Sequence, residues 1–194
     1  MSTAMASSDA TVVDDMHRWL ERAVIGLNLC PFAKAVHTKG QIHYAVSPAT
    51  DTEALREQLI EELDGLLAQE ASARDTTLSI APRVLQDFLD FNAFLAEADR
   101  VLRRMRLEGT VQIASFHPDF QFGGTEPDDI TNYTNRAPYP CLHLLREASI
   151  DRAVAAFPEA EAIFERNMET LEALGHRGWD SLGVGKSPHE DPQK

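Results

Sequence analysis

Three short β-like runs separated by two helix-length amphipathic stretches constrain this chain more than any other feature. Ile42, Tyr44 and Val46 alternate with polar neighbours, Leu78 and Ile80 mark a second run that stops before Pro82, and Val111 to Phe116 forms a third. Leu55, Leu59, Leu63 and Leu66 recur at helical spacing up to about Gln69. Phe88, Phe91, Leu95, Ala98 and Leu102 place one apolar stripe on a second helix that ends near Gly109. Strand, helix, strand, helix, strand implies parallel neighbours joined by right-handed crossovers, which buries both faces of the sheet. Cys141 to Arg146 reads as a fourth strand, antiparallel to the third. The expected fold is therefore α/β: a small mixed, mostly parallel sheet of about four strands flanked by helices, with a long functional loop between the last two.

The flanks are read the same way. Val12, Met16, Trp19, Leu20, Ala23, Val24 and Leu27 follow helical spacing, with Thr11 and Asp14 as a capping box, and Asn28, Cys30 and Pro31 end that helix. A second capping box pairs Thr50 with Glu53. A final helical pair runs from Ile150 to Leu174, broken at Pro158 and stopped by Gly175. One α/β domain is expected over residues 11–182, with 1–10 and 183–194 as flexible tails.

Charge excludes some partners. A formal net charge of -13 opposes a nonspecific grip on nucleic acid or on an anionic membrane. The first residues lack the basic and apolar regions of a secretory signal, and no run is long enough to span a bilayer. A cytoplasmic location is the expectation. Cys30 and Cys141 are too few and too far apart for a disulfide framework or a four-cysteine zinc site.

The loops leaving the three parallel strands, Ser47–Asp51, Pro82–Asp87 and His117 onward, should emerge at one sheet edge, where open α/β sheets bind ligands. The stretch from Ser115 to Glu147 supplies the chemistry. His117 is the expected general acid or base, Asp119 would orient its ring, and His143 would be a second proton-transfer or binding group. Arg136 and Arg146 could clamp an anion, since a guanidinium fork matches carboxylate or phosphate. Phe116, Phe120, Phe122 and Tyr133 would wall a pocket and exclude water. If a metal binds at all, Cys141, His117 and His143 are its ligands, with Asp119 or Cys30 as a further one. Nothing in the spacing demands a metal, and no cofactor is strongly implied. Cys30 follows a helix C-terminus, where the dipole disfavours a thiolate.

NLCPFAK at 28–34, SFHPDFQF at 115–122 and NRAPYPCLHLLRE at 135–147 occur in that order, and with them the chain resembles the bacterial domain of unknown function 1415 from about Met16 to Val184. The resemblance implies a single-domain bacterial cytosolic protein and brings no reaction with it. Because Cys30 belongs to one of these motifs, it joins Arg136, Arg146, Phe122 and Tyr133 among the substrate-binding candidates.

Two functions from different classes remain open. One is a hydrolytic or group-transfer enzyme acting on a small anionic or polar metabolite at this His- and Arg-rich site. The other is a noncatalytic protein-binding or regulatory module that docks a partner through the aromatic, proline-rich loop. An enzyme would line a concavity with Phe120, Phe122 and Tyr133, whereas a docking module would leave them on the surface. If His117 is catalytic, replacing it by Ala should abolish turnover with the melting temperature nearly intact.

Overall fold

A computed structural model describes residues 2–157 and 159–188, with side chains from residue 9 onward. Helix α1, Ser2–Trp19, continues into a π-helical turn, Leu20–Ile25, and is followed by α2, Ala33–Thr38. Strands and helices then alternate: β1 Ile42–Val46, α3 Thr52–Leu67, β2 Thr76–Ile80, α4 Phe88–Arg104 and β3 Val111–Phe116. A 3-10 turn at Ile130–Asn135 interrupts the connection to β4, Cys141–Arg146. The chain ends with α5, Glu147–Ala156, a short 3-10 turn at Ala160–Ala162, and α6, Ile163–Ser181.

The sheet order is β1-β2-β4-β3. Only β1 and β2 pair in parallel, because β4 inserts between β2 and β3 and runs antiparallel to both. The sheet is thus mixed rather than mostly parallel, although β1, β2 and β3 do share one direction. Both crossovers pack on one face. Leu55, Leu59, Leu63 and Leu66 of α3 and Phe91, Phe94, Ala98 and Val101 of α4 close over Val111, Leu142 and Leu144. The opposite face buries Leu78, Ile80 and Cys141 under Met16, Trp19 and Ala23 of the first helix and Leu171 and Trp179 of α6.

Helix ends differ from the sequence expectation in instructive ways. Asp51, not Thr50, caps α3, because its backbone is extended and its carboxylate accepts from the Ala54 N–H at 2.9 Å. Asp87 caps α4 through the N–H groups of Leu89 and Asp90. That helix stops at Arg104, five residues before Gly109, in a Schellman arrangement: Leu107 N–H bonds to Leu102 O, Arg106 N–H bonds to Arg103 O, and Arg106 takes φ 58°. Gly175 does break α6 with φ 65°, but the chain resumes helical geometry to Ser181 and seats Trp179 in the core.

Parts of the expected tails make specific contacts. The first helix starts well before Thr11, and Asp9 pairs with Arg83 at 2.6 Å. Val184 is buried, and Ser187 donates from its N–H and its Oγ to the fully buried Asp15. The remainder of the tails, Met1 and residues 189–194, and the break at Pro158 lie outside the described residues. Among the described residues no helix is long and apolar enough to cross a membrane.

Candidate functional site

The β1–α3 and β2–α4 loops leave the carboxyl ends of neighbouring parallel strands and open a groove of about 860 Å³ between the N-termini of α3 and α4. Asp51, Glu53, Asp90 and Glu97 line it with one guanidinium, Arg56, over a floor that includes Val84, Leu85 and Phe94. Most of these carboxylates are engaged: Asp51 caps α3, Glu53 faces Arg56 at 3.7 Å, and Glu97 faces Arg100 at 2.7 Å. Asp90 makes no side-chain bond or ion pair among the described residues. The groove lies where two of the three expected loops converge. Its own side chains carry no motif, so spacing alone could not nominate them.

His117 stands behind the groove wall. Its Nδ1 accepts the Asp119 backbone N–H at 3.0 Å, which puts the ring proton on Nε2, and Nε2 donates to the Leu85 carbonyl at 3.0 Å. Burial pushes this imidazole below its ordinary pKa, against the opposing pull of the Leu85 carbonyl and of Asp119 and Asp87. In place of a proton-transfer group oriented by a carboxylate, the structure has a buried ring with both nitrogens held by backbone. His117 is a positioning residue here, and what it positions is Leu85, whose φ of 58° is unusual for a branched side chain.

His143 is not its neighbour. It shares a strand face with Cys141, and its ring lies 6.2 Å from Phe116 on the α1/α6 side, whereas His117 packs on Phe88 and Phe91 of the α3/α4 side at 5.5 and 5.0 Å. The sheet separates the two imidazoles, because strand residues one apart point to opposite faces. The Thr76 hydroxyl donates to Leu144 O at 2.6 Å and therefore accepts from His143 Nε2–H at 2.7 Å. Burial drives the His143 pKa down to about 4. The candidate metal set is split with them: among the described residues no three His, Cys, Asp or Glu side chains are placed to hold a metal. Cys141 is fully buried, which raises its thiol pKa.

The two arginines are also far from an anion clamp. Arg136 donates from Nε to Phe120 O and from Nη2 to Pro127 O, and its guanidinium lies 4.4 Å from the centre of the Tyr133 ring. Arg146 gathers the carbonyls of Leu66, Gln69 and Arg74, closing the C-terminal end of α3. Arg136 precedes β4 and Arg146 ends it, and both give these hydrogen bonds to backbone carbonyls. Tyr133 packs on Trp179 and His176, at 5.0 and 5.5 Å, and Phe122 lies between Phe120 and Phe164. None of these aromatics lines the groove.

Cys30 lies three residues before α2, a short helix that the sequence reading missed, and its backbone carbonyl accepts the Ala33 N–H at 3.2 Å. Burial raises the thiol pKa, against the opposing pull of the Phe32 and Ala33 amides. Also missed was Asp15, which accepts from Tyr139, Ser187 and Arg18; its place in a helical stripe of apolar residues gave no sign of that role.

Fold and groove together define a mixed α/β protein with an acidic cleft at the carboxyl ends of its parallel strand pair. The chain belongs to the family described as protein of unknown function DUF1415, with a match that spans residues 11–181. No curated protein and no solved structure matches it.

Proposed function

We propose that the protein binds a small polar metabolite in the α3/α4 groove and transforms it by hydrolysis or group transfer. The observation that carries this reading is the groove's position: it opens at the carboxyl ends of adjacent parallel strands, between two helix N-termini, in a wall braced by His117. Arg56 is the group that would meet an anionic part of the ligand, and the surrounding carboxylates favour donor groups such as hydroxyls or amines. Asp90, exposed and unpartnered among the described residues, is the acid–base candidate.

A thermal-shift screen of polar metabolites against the full chain tests the reading. A compound that raises the melting temperature of the native protein, but not of Asp90→Asn or Arg56→Ala, is the expected result. No stabilising compound, or one that stabilises both variants equally, overturns it.

A further inference from the structure

A second feature lies apart from the groove. Phe88, Phe120, Phe122 and Phe164 form an unbroken chain of ring contacts, with centroids 5.3, 4.9 and 5.8 Å apart, from the start of α4 to the start of α6. One end is open to solvent, since Phe164 is 51% exposed; Phe88, Phe120 and Phe122 are half-buried, and Leu89, which follows Phe88 in α4, is 74% exposed. The four rings line neither the α3/α4 groove nor the small cavity beside Pro31 and Phe157. Arg136 grips the carbonyls of Phe120 and Pro127 together, which holds the 126–128 turn against this ridge.

The charge beside the ridge that is left without an ion pair is acidic. Asp119 and Glu165 adjoin Phe120 and Phe164, and the turn adds Glu126 and Asp128; all four are exposed, and none makes an ion pair among the described residues. The nearby cations are engaged: Arg136 as above, Arg166 by the Glu159 carbonyl and carboxylate, and Lys186 by the Gln86 side chain and the Tyr139 ring. We propose that this ridge docks a basic amphipathic segment of a partner protein, with its apolar face on the rings and its Lys or Arg side chains on the four carboxylates. A second copy of this chain does not suit the surface, because a two-fold contact would bring the same carboxylates together. Nucleic acid and anionic lipid are repelled for the same reason.

The test titrates the full-length protein with a labelled leucine–lysine amphipathic peptide and with its leucine–glutamate counterpart, followed by fluorescence anisotropy. The lysine peptide should bind roughly tenfold or more tightly than the glutamate one, with an affinity that falls as salt rises. Phe164→Ser, and independently Leu89→Ser, should each weaken it roughly tenfold, while Asp119→Asn with Glu165→Gln should flatten the salt dependence. Both apolar positions are exposed, so the variants should fold, which circular dichroism checks. Asp90→Asn should leave peptide binding unchanged, which separates the ridge from the groove. Equal affinity for the two peptides, or binding undiminished in Phe164→Ser and Leu89→Ser, overturns the proposal. So does a concentration-dependent dimer in analytical ultracentrifugation that Phe164→Ser abolishes.

Discussion

The His117 imidazole donates to the carbonyl of Leu85 at 3.0 Å, so the residue that follows β3 holds a turn that follows β2. Leu85 has its side chain in the core and a left-handed backbone, a combination costing about 1–2 kcal/mol unless its surroundings enforce it. The Asp119 amide completes the arrangement by fixing the ring's tautomer.

Replacing His117 by Ala should therefore cost stability. The change removes a fully buried ring, leaves the Leu85 carbonyl and the Asp119 N–H without their partner, and should lower the unfolding free energy by about 2–4 kcal/mol. Urea denaturation measures it. A loss below about 0.5 kcal/mol would return the residue to the proton-transfer role expected from sequence.

Acid should destabilise the fold earlier than carboxylates alone would. His143 is held down to about 4 from an ordinary 6.5, and burial lowers His117 and His43 as well. Between those two values the unfolded chain takes up protons that the folded chain refuses, so stability is complete above pH 6.5 and declines toward pH 4. The expected loss over that window is about 1–3 kcal/mol. His143→Asn, which keeps a donor for Thr76, should flatten the profile. Asp15, whose pKa is lowered by Ser187, Tyr139 and Arg18 despite its burial, loses its contribution only below its ordinary 3.8.

Arg146 is expected to behave as a cap on α3. Ala at this position strips donors from three backbone carbonyls and should cost about 2–3 kcal/mol, with Lys recovering only part because an ammonium lacks the planar fork. Thermal unfolding of the two variants decides it; equal stabilities of Lys, Ala and native protein would refute the capping role.

Arg106→Gly should stabilise the protein. The side chain is exposed and its φ of 58° occupies the position after a helix end that favours glycine, so the gain should be about 0.5–1 kcal/mol. A lower midpoint in urea would show that Arg106 makes a compensating interaction in solution.

Periodicity made the four strands legible, and β3 and β4 begin and end where alternation places them, at Val111–Phe116 and Cys141–Arg146. The antiparallel pairing of these two was legible as well, because no helix-length crossover separates them. Hidden from sequence was β4's position between β2 and β3, since pairing Thr77 with Leu144 depends on which edge the chain returns to. The candidate site suffered from the same blindness. Which face a side chain takes follows from one-residue parity, and His117 and His143 fall on opposite parities across the β3–β4 pair. His117, Arg136 and Arg146 were conspicuous for their chemistry, yet polar groups of this kind also satisfy loop carbonyls, and only coordinates distinguish the uses.

The last strand in the chain takes an inner place in the sheet. Until residues 141–146 have been synthesised, β2 and β3 cannot be bridged, and each presents a bare row of amides and carbonyls. A nascent or nicked chain ending upstream of Cys141 thus carries two adhesive borders where the finished protein has a closed seam, which makes premature termination a route to aggregation rather than to a smaller working fold.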